Sequence, residues 1–482
     1  MGEEVVEEEE QSRWDGPGGY REVLKLAVPM ILSFGSWSLM HFVDRMYLSW
    51  YDRDALAAAL PAGILSFTLG TFFLGTAGYV NTFVAQYVGA GRPHRVGASV
   101  WQGIHFSIAS GLLLMGLIPL APAIFALVGH EPSVQLGEVV YFQILCIGWI
   151  PMLVMPAVSS FFSGRGDTIT VMWVNVLAAS MNIVLDYLLI FGHFGFPAMG
   201  IAGAAWATVI AHCLGVLVLA GLFQRRRYRD EFKTLSAWRV DLSLLKRMLR
   251  FGAPNGVQFF VELSGFTLFI LVVGRLGTVE LAATNVAFNI NTLAFMPMLG
   301  LGVAVSTLVG QYLGKDDPAT AERATWSAAH ISLSYMGTIA ASYVLIPEVF
   351  LAPYRVHADP GQFAPVEAYS IVLLRFVALY SLLDGVYIVF SAAIKGAGDT
   401  RFVMWVTLAV SFSVMIIPVW VGVTIYGMGL YAAWCFATAY LIVLAICFFY
   451  RFRAGKWKSM RVIEPEVHPG IETMREPNVQ TI

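Results

Sequence analysis

Charge is what this 482-residue chain has little of. Lys, Arg, Asp and Glu make up 13% of it, against roughly 25% in an average soluble domain. Hydrophobic residues reach 57%, and the mean hydropathy is +0.69. A water-exposed surface cannot be built from so few charges, so the composition indicates a membrane protein. The net charge of −2 leaves no basic excess for nucleic acid, and no nucleic-acid partner is expected. Cysteine is sparse too. Cys146, Cys213, Cys435 and Cys447 all lie in apolar stretches without CxxC spacing and read as packing residues, not as a disulfide or metal set. No HExxH, GxSxG or Walker sequence is present, so no enzyme and no cofactor is expected. The opening "MGEEVVEEEEQSRWDGPGG" lacks the basic and apolar regions of a cleaved export signal and reads as an acidic disordered tail.

Long apolar runs dominate what is there. A helix needs about 20 mostly apolar residues to cross a bilayer. Twelve runs qualify: about 24–50, 57–87, 99–128, 137–163, 168–192, 200–224, 250–276, 281–312, 325–351, 366–394, 401–424 and 428–450. They are continuous, not alternating, which predicts helices and excludes a barrel. The odd-numbered loops hold three Lys or Arg (Arg53, Arg275 and Arg355), whereas the even-numbered loops hold sixteen and the termini nine. By the positive-inside rule both termini are cytoplasmic and the protein is multi-pass in the cytoplasmic membrane. In loop 6, "LSLLKRMLR" (242–250) places Leu244, Leu245, Met248 and Leu249 beside basic residues. It reads either as a helix lying on the inner leaflet or as an extension of span seven.

The two halves echo each other. "LAAALPAG…VAQYVGAG" (56–91) is answered by "LAATNVAF…LVGQYLGK" (281–315), and the same shift of 225 carries Pro29 onto Pro254. "FSGRGDT" (162–168) is answered by "IKGAGDT" (394–400), and "MGIAGAAWAT" (199–208) by "MGLYAAWCFAT" (428–438). Six spans per half predict an all-α polytopic protein of two six-helix bundles, related by a parallel pseudo-two-fold repeat. The expected organisation is a tail at 1–20, an N-terminal lobe at 21–224, a cytoplasmic linker at 225–249, a C-terminal lobe at 250–455 and a cytoplasmic tail at 456–482. Pro29 and Pro254 are candidate hinge or kink positions, since each removes a backbone hydrogen bond.

Carboxylates inside the spans are costly, at roughly 2.5–3.5 kcal/mol on insertion scales, and mark functional positions. Asp44, Asp186 and Thr208 fall roughly 9–12 Å below the outer ends of their helices, and Asn182 shares a face with Asp186. Glu262 and Asp384 fall roughly 15–17 Å from the inner ends, near the midplane, with Tyr380 one turn before Asp384. Arg375 is nine residues from Asp384 and therefore on the opposite face of its helix. Arg45, adjacent to Asp44, can pair with it. A carboxyl group withdrawn from water takes up a proton more readily, and clustered oxygens replace the hydration of Na⁺. Either ion would compete with a cationic substrate for the same negative charge. His41, His105, His212 and His330 lie on different spans and read as packing donors.

These motifs together resemble the multidrug and toxic compound extrusion (MATE) transporters, NorM-type branch, over about residues 20–455. The resemblance rests on "VD" of span one with Pro29 upstream, on "AQYVGAG", and on "NIVLDYLLIFGHFGFPAMGIAGAAWAT" across spans five and six. "PNGVQFFVE" in span seven and "KGAGDT" after span ten complete it. It implies a V-shaped pair of lobes exporting amphipathic organic cations against Na⁺ or H⁺ entry. It also implies a cation site on Glu262, Asp384 and Tyr380, with Na⁺ as a candidate metal at Glu262 and Asp384. A second cluster would comprise Asp44, Asn182, Asp186 and Thr208. Arg45 departs from the family's small or neutral residue, and its guanidinium favours a charged Asp44, which weakens the case for Asp44 as a proton carrier. The expected function is a cation-coupled drug antiporter, acting as a monomer in the lipid bilayer on small organic cations. A flippase for lipid-linked saccharides and a passive channel are the alternatives.

Overall fold

A computed structural model describes residues 13–355 and 360–465. Residues 1–12 of the expected tail at 1–20 and residues 466–482 of the expected tail at 456–482 lie outside the described residues. Residues 13–20, expected to be disordered, are ordered: Gly18 N donates to Glu22 Oε2 at 2.7 Å and Gly18 O accepts from Ser327 Oγ at 2.8 Å. The described residues contain no strand. Eleven of their helices are long and apolar enough to cross a membrane, or twelve when one bent pair counts as a single span.

The N-terminal half consists of α1 (Tyr20–Tyr51), α2 (Arg53–Gly78), α3 (Val80–Gly89), α4 (Pro93–Met115), α5 (Ala121–Val128), α6 (Pro132–Ser163), α7 (Thr168–Phe191) and α8 (Ile201–Phe223). The short α9 (Arg226–Glu231) leads to the second half. There follow α10 (Leu242–Val273), α11 (Thr278–Gly314), α12 (Pro318–Leu345), α13 (Pro347–Arg355), α14 (Pro360–Ala397), α15 (Thr400–Val410), α16 (Ile417–Thr424) and α17 (Leu430–Arg453).

Helix starts follow local chemistry. Asp52, Asp167, Asp241 and Asp317 cap α2, α7, α10 and α12, each carboxylate accepting from backbone N–H groups of the first turn. Asp399, at the corresponding "GDT" of the second half, makes no such cap and pairs with Arg451 at 2.7 Å. Interruptions also have causes. The ninth span bends by 67° between α12 and α13, next to Pro347. The eleventh carries a π-helical stretch at Ser411–Ile416, just before Pro418, whose ring nitrogen cannot donate. Pro29 and Pro254 are buried inside α1 and α10, both of which stay helical through them.

The segment 242–250 forms the first turns of α10, so the extension of span seven is realised and the separate surface helix is not. Its Leu244 and Met248 are buried among N-terminal-half side chains such as Val96, Val100 and Phe161, not laid against lipid. Arg165 holds α9 in place: its guanidinium lies 4.4–4.6 Å from the ring centres of Phe161, Tyr228 and Phe232.

The halves meet where α1 packs on α11, α2 on α10 and α3 on α11. The closest approaches gather toward the basic end of the bundle. Gly89 lies against the Gln311 carbonyl and Gly314 against the Gln86 carbonyl, with no room for a Cβ at either. Chain after α17 folds back over this seam. Trp457 is buried, Val462 N donates to Gln86 Oε1 at 2.8 Å, and Glu464 accepts from Tyr87 Oη at 2.6 Å. Away from the seam, Leu113, Trp173, Leu217, Leu271 and Trp405 stand more than half exposed, a dress suited to lipid.

Candidate functional site

The N-terminal cluster forms where α1, α6, α7 and α8 converge. Asp44, Asn182, Asp186 and Thr208 are all buried. In one amide orientation Asn182 donates to Thr208 Oγ1 at 3.3 Å. In the other it donates to Asp186 Oδ2 at 3.0 Å and accepts from Thr208 N at 3.1 Å, which satisfies more partners. Asp44 Oδ1 and Asp186 Oδ1 are buried without a hydrogen-bond partner among the described residues. The two carboxylates act on each other's charge, and both act on the buried phenol of Tyr141. Arg45 is exposed and makes no ion pair with Asp44 among the described residues, so a structural salt bridge does not account for this carboxylate.

In the C-terminal half, Glu262 projects from α10. It accepts from Gln258 Nε2, one turn earlier, at 2.9 Å, and from the hydroxyl of Tyr387 on α14. Gln258 Nε2 also lies 3.3 Å from Tyr387 Oη, while Gln258 Oε1 is buried without a partner. Asp384, 5% exposed, sits three residues before Tyr387, close enough for its charge and that of Glu262 to oppose each other. The buried phenol of Tyr380 feels Asp384, and Lys395 on the same helix feels Glu262. Arg375 is exposed on the far side of α14, so it is no partner for Asp384.

The structure therefore brings Glu262 and Asp384 together, and separately gathers Asp44, Asn182, Asp186 and Thr208. Gln258, Tyr387 and Tyr141 were not singled out from the sequence. The i, i+3 and i, i+4 spacing that pointed to Tyr380 applies equally to Tyr387, and Gln258 lies four residues before Glu262. Spacing alone does not choose between the two phenols. Packing does, by turning Tyr387 toward α10.

A family model described as MatE matches residues 29–188 and again residues 254–421. The chain belongs to the MATE family. Its two matched stretches begin at Pro29 and Pro254, the pair related by the shift of 225. A "Probable multidrug resistance protein NorM" of Brucella suis is 30% identical over 388 residues, covering 80% of this chain and 82% of the relative. A protein of the same description from Thermotoga maritima is 26% identical over 455 residues, covering 92% and 95%. Among solved structures, an outward-facing multidrug resistance MATE transporter superposes with a TM-score of 0.83 at 20% identity, covering 92% of this chain and 98% of that one. A second, from Pyrococcus furiosus, has a TM-score of 0.81 at 21% identity with the same coverage. In that MOP superfamily transporter, reverse polarity of the binding pocket suggests a different function. The MATE chain described here is thus a multi-pass multidrug efflux transporter by family, not an enzyme.

Proposed function

We propose that this MATE transporter is an antiporter that exports amphipathic organic cations in exchange for Na⁺ or H⁺. The observation that carries the reading is a pair of carboxylates in each half, buried Asp44 and Asp186 in one and buried Asp384 beside half-buried Glu262 in the other, none of them in an ion pair with Lys or Arg among the described residues. A buried carboxylate without a cation paired directly to it is unfavourable, and a mobile cation relieves it. Glu262, Asp384 and the unpartnered Gln258 Oε1 offer oxygens to Na⁺, and the two carboxylates, opposing each other's charge, offer a place for a proton. Asp44 and Asp186, each with an unpartnered oxygen, offer the same in the other half.

Exchange follows from competition. A coupling ion on the carboxylates removes the negative charge that holds a cationic substrate, so the substrate leaves. Loss of the ion restores that charge for the next substrate. In this proposal the basic end of the bundle faces the cytoplasm, with both termini on that side, and the protein works as a monomer in the cytoplasmic membrane. Both clusters consist of acidic, amide and hydroxyl side chains, which supports cations over an anionic lipid-linked saccharide.

The test is ethidium efflux from proteoliposomes under a Na⁺ gradient and a pH gradient imposed separately. One of the two gradients alone should drive the dye uphill, which identifies the coupling ion, and Asp384→Asn should abolish this while the protein still inserts. Undiminished efflux in that variant would overturn the C-terminal site. A dye moved only down its own gradient would indicate a channel.

A further inference from the structure

A groove of about 510 Å³ runs between α12 and α14 on the outside of the C-terminal half. Gly337, Ala341 and Leu345 form one wall and Leu379 and Leu382 the other, with Arg375 at its mouth. Leu345 is 77% exposed and Leu379 55%. The small residues on α12 keep the groove open, and Gly337 faces Leu382 across its floor.

The arginine needs an explanation. Arg375 is exposed and has no hydrogen bond or ion pair among the described residues. Glu367, on the same helix, is taken by Arg355. Asp384 lies on the opposite face. Lys395 is twenty residues further along α14, and at 1.5 Å per residue that places Arg375 about 30 Å away, the thickness of a hydrocarbon core. Arg375 therefore stands near the headgroup level of the leaflet remote from the basic end. Leu382 is seven residues deeper, about 10 Å into the acyl region. A guanidinium binds phosphate through two parallel N–H donors, and apolar walls below it suit a hydrocarbon chain.

We propose that this groove is a phospholipid site, with the lipid phosphate on Arg375 and one acyl chain lying between α12 and α14. The site is built from residues outside both carboxylate clusters and does not depend on the coupling reaction.

The experiment uses the full-length protein in phosphatidylcholine vesicles containing a trace of phosphatidylglycerol with a photoactivatable acyl chain. A parallel sample contains diacylglycerol with the same chain but no phosphate. Labelling mapped by peptide mass spectrometry should concentrate in residues 333–345 and 375–383. The phospholipid should label there about tenfold more than the diacylglycerol, as expected for loss of a charge-assisted hydrogen bond. Arg375→Gln should erase that preference, and Ala341→Trp should reduce labelling by both probes by filling the groove. Equal labelling by the two probes in the native chain would overturn the proposal. So would labelling unchanged in both variants.

Discussion

Gln86 and Gln311 reach across the boundary between the halves in opposite directions. Gln86 Nε2 donates to Gly396 O at 2.9 Å, and Gln311 Nε2 donates to Gly164 O at 2.8 Å. The two glutamines stand 225 residues apart in "AQYVGAG" and "GQYLGK", and the glycines they bond sit in "KGAGDT" and "SGRGDT". Each repeat thus supplies a donor to the other's turn. Beside them Asn81 Nδ2 donates to Thr307 Oγ1 at 2.9 Å. All these bonds lie at the basic end and must break if the halves separate there.

Replacing either glutamine with leucine leaves a glycine carbonyl at the seam without its donor, a loss of about 1–3 kcal/mol from the closed arrangement. Gln86→Leu and Gln311→Leu should each raise the population open at the basic end by about tenfold. A spin-label pair, one at the basic end of each half, should show the longer distance gaining weight by double electron–electron resonance.

Glu464 tightens the same seam. It accepts from Tyr87 and pairs with Arg95 at 3.2 Å and with Arg247. Partial burial by itself would raise its carboxyl, but the Tyr87 phenol and the two guanidinium groups outweigh that and hold it below its ordinary value of 4.5. A depressed carboxyl contributes above its unperturbed value and is lost as pH falls through the lowered one. The seam should therefore hold at neutral pH and loosen only below about pH 4.5. Glu464→Gln should show the acid-loosened distance distribution already at pH 7. A distribution identical to the native one would show that the carboxylate does not matter.

Tyr387 and Tyr380 flank Asp384 on α14, yet it is Tyr387 whose hydroxyl reaches Glu262. A hydrogen bond to a charged group contributes about 1.5–3 kcal/mol. Tyr387→Phe should raise the half-saturating concentration of the coupling ion about tenfold or more, whereas Tyr380→Phe should shift it about twofold at most. Ion titration of dye efflux separates the two, and equal effects would mean that the phenol contact is not used.

Arg45 is exposed and unpaired with Asp44. Arg45→Gln should change thermal stability in detergent by no more than about 0.5 kcal/mol, the usual range for a surface substitution. A large drop in melting temperature would indicate that the arginine anchors the Asp44 carboxylate.

Much of this architecture is legible in the residues themselves. The twelve apolar runs correspond to the observed helices because a bilayer forces the backbone to satisfy its hydrogen bonds locally. Aspartates before helices become caps for the same local reason. Nine residues put Arg375 opposite Asp384, and it is found there. The ambiguity at 242–250 had a different origin. An amphipathic basic segment buries its apolar face equally well against lipid or protein, and only the presence of Val96, Val100 and Phe161 beneath it selects the second.

What the sequence by itself determined is the class of molecule, the span register, the internal repeat and the short set of buried carboxylates. Those follow from hydropathy and helical rise, which act over a few turns. Tertiary structure decided which oxygens meet: Tyr387 and not Tyr380 at Glu262, Asn182 bridging toward Asp186, Arg45 outside and in no ion pair with Asp44 among the described residues, Glu464 folded back onto Tyr87. Each depends on how a helix is rotated and tilted against its neighbours. That rotation is set by close packing of residues hundreds of positions apart, which no local spacing encodes.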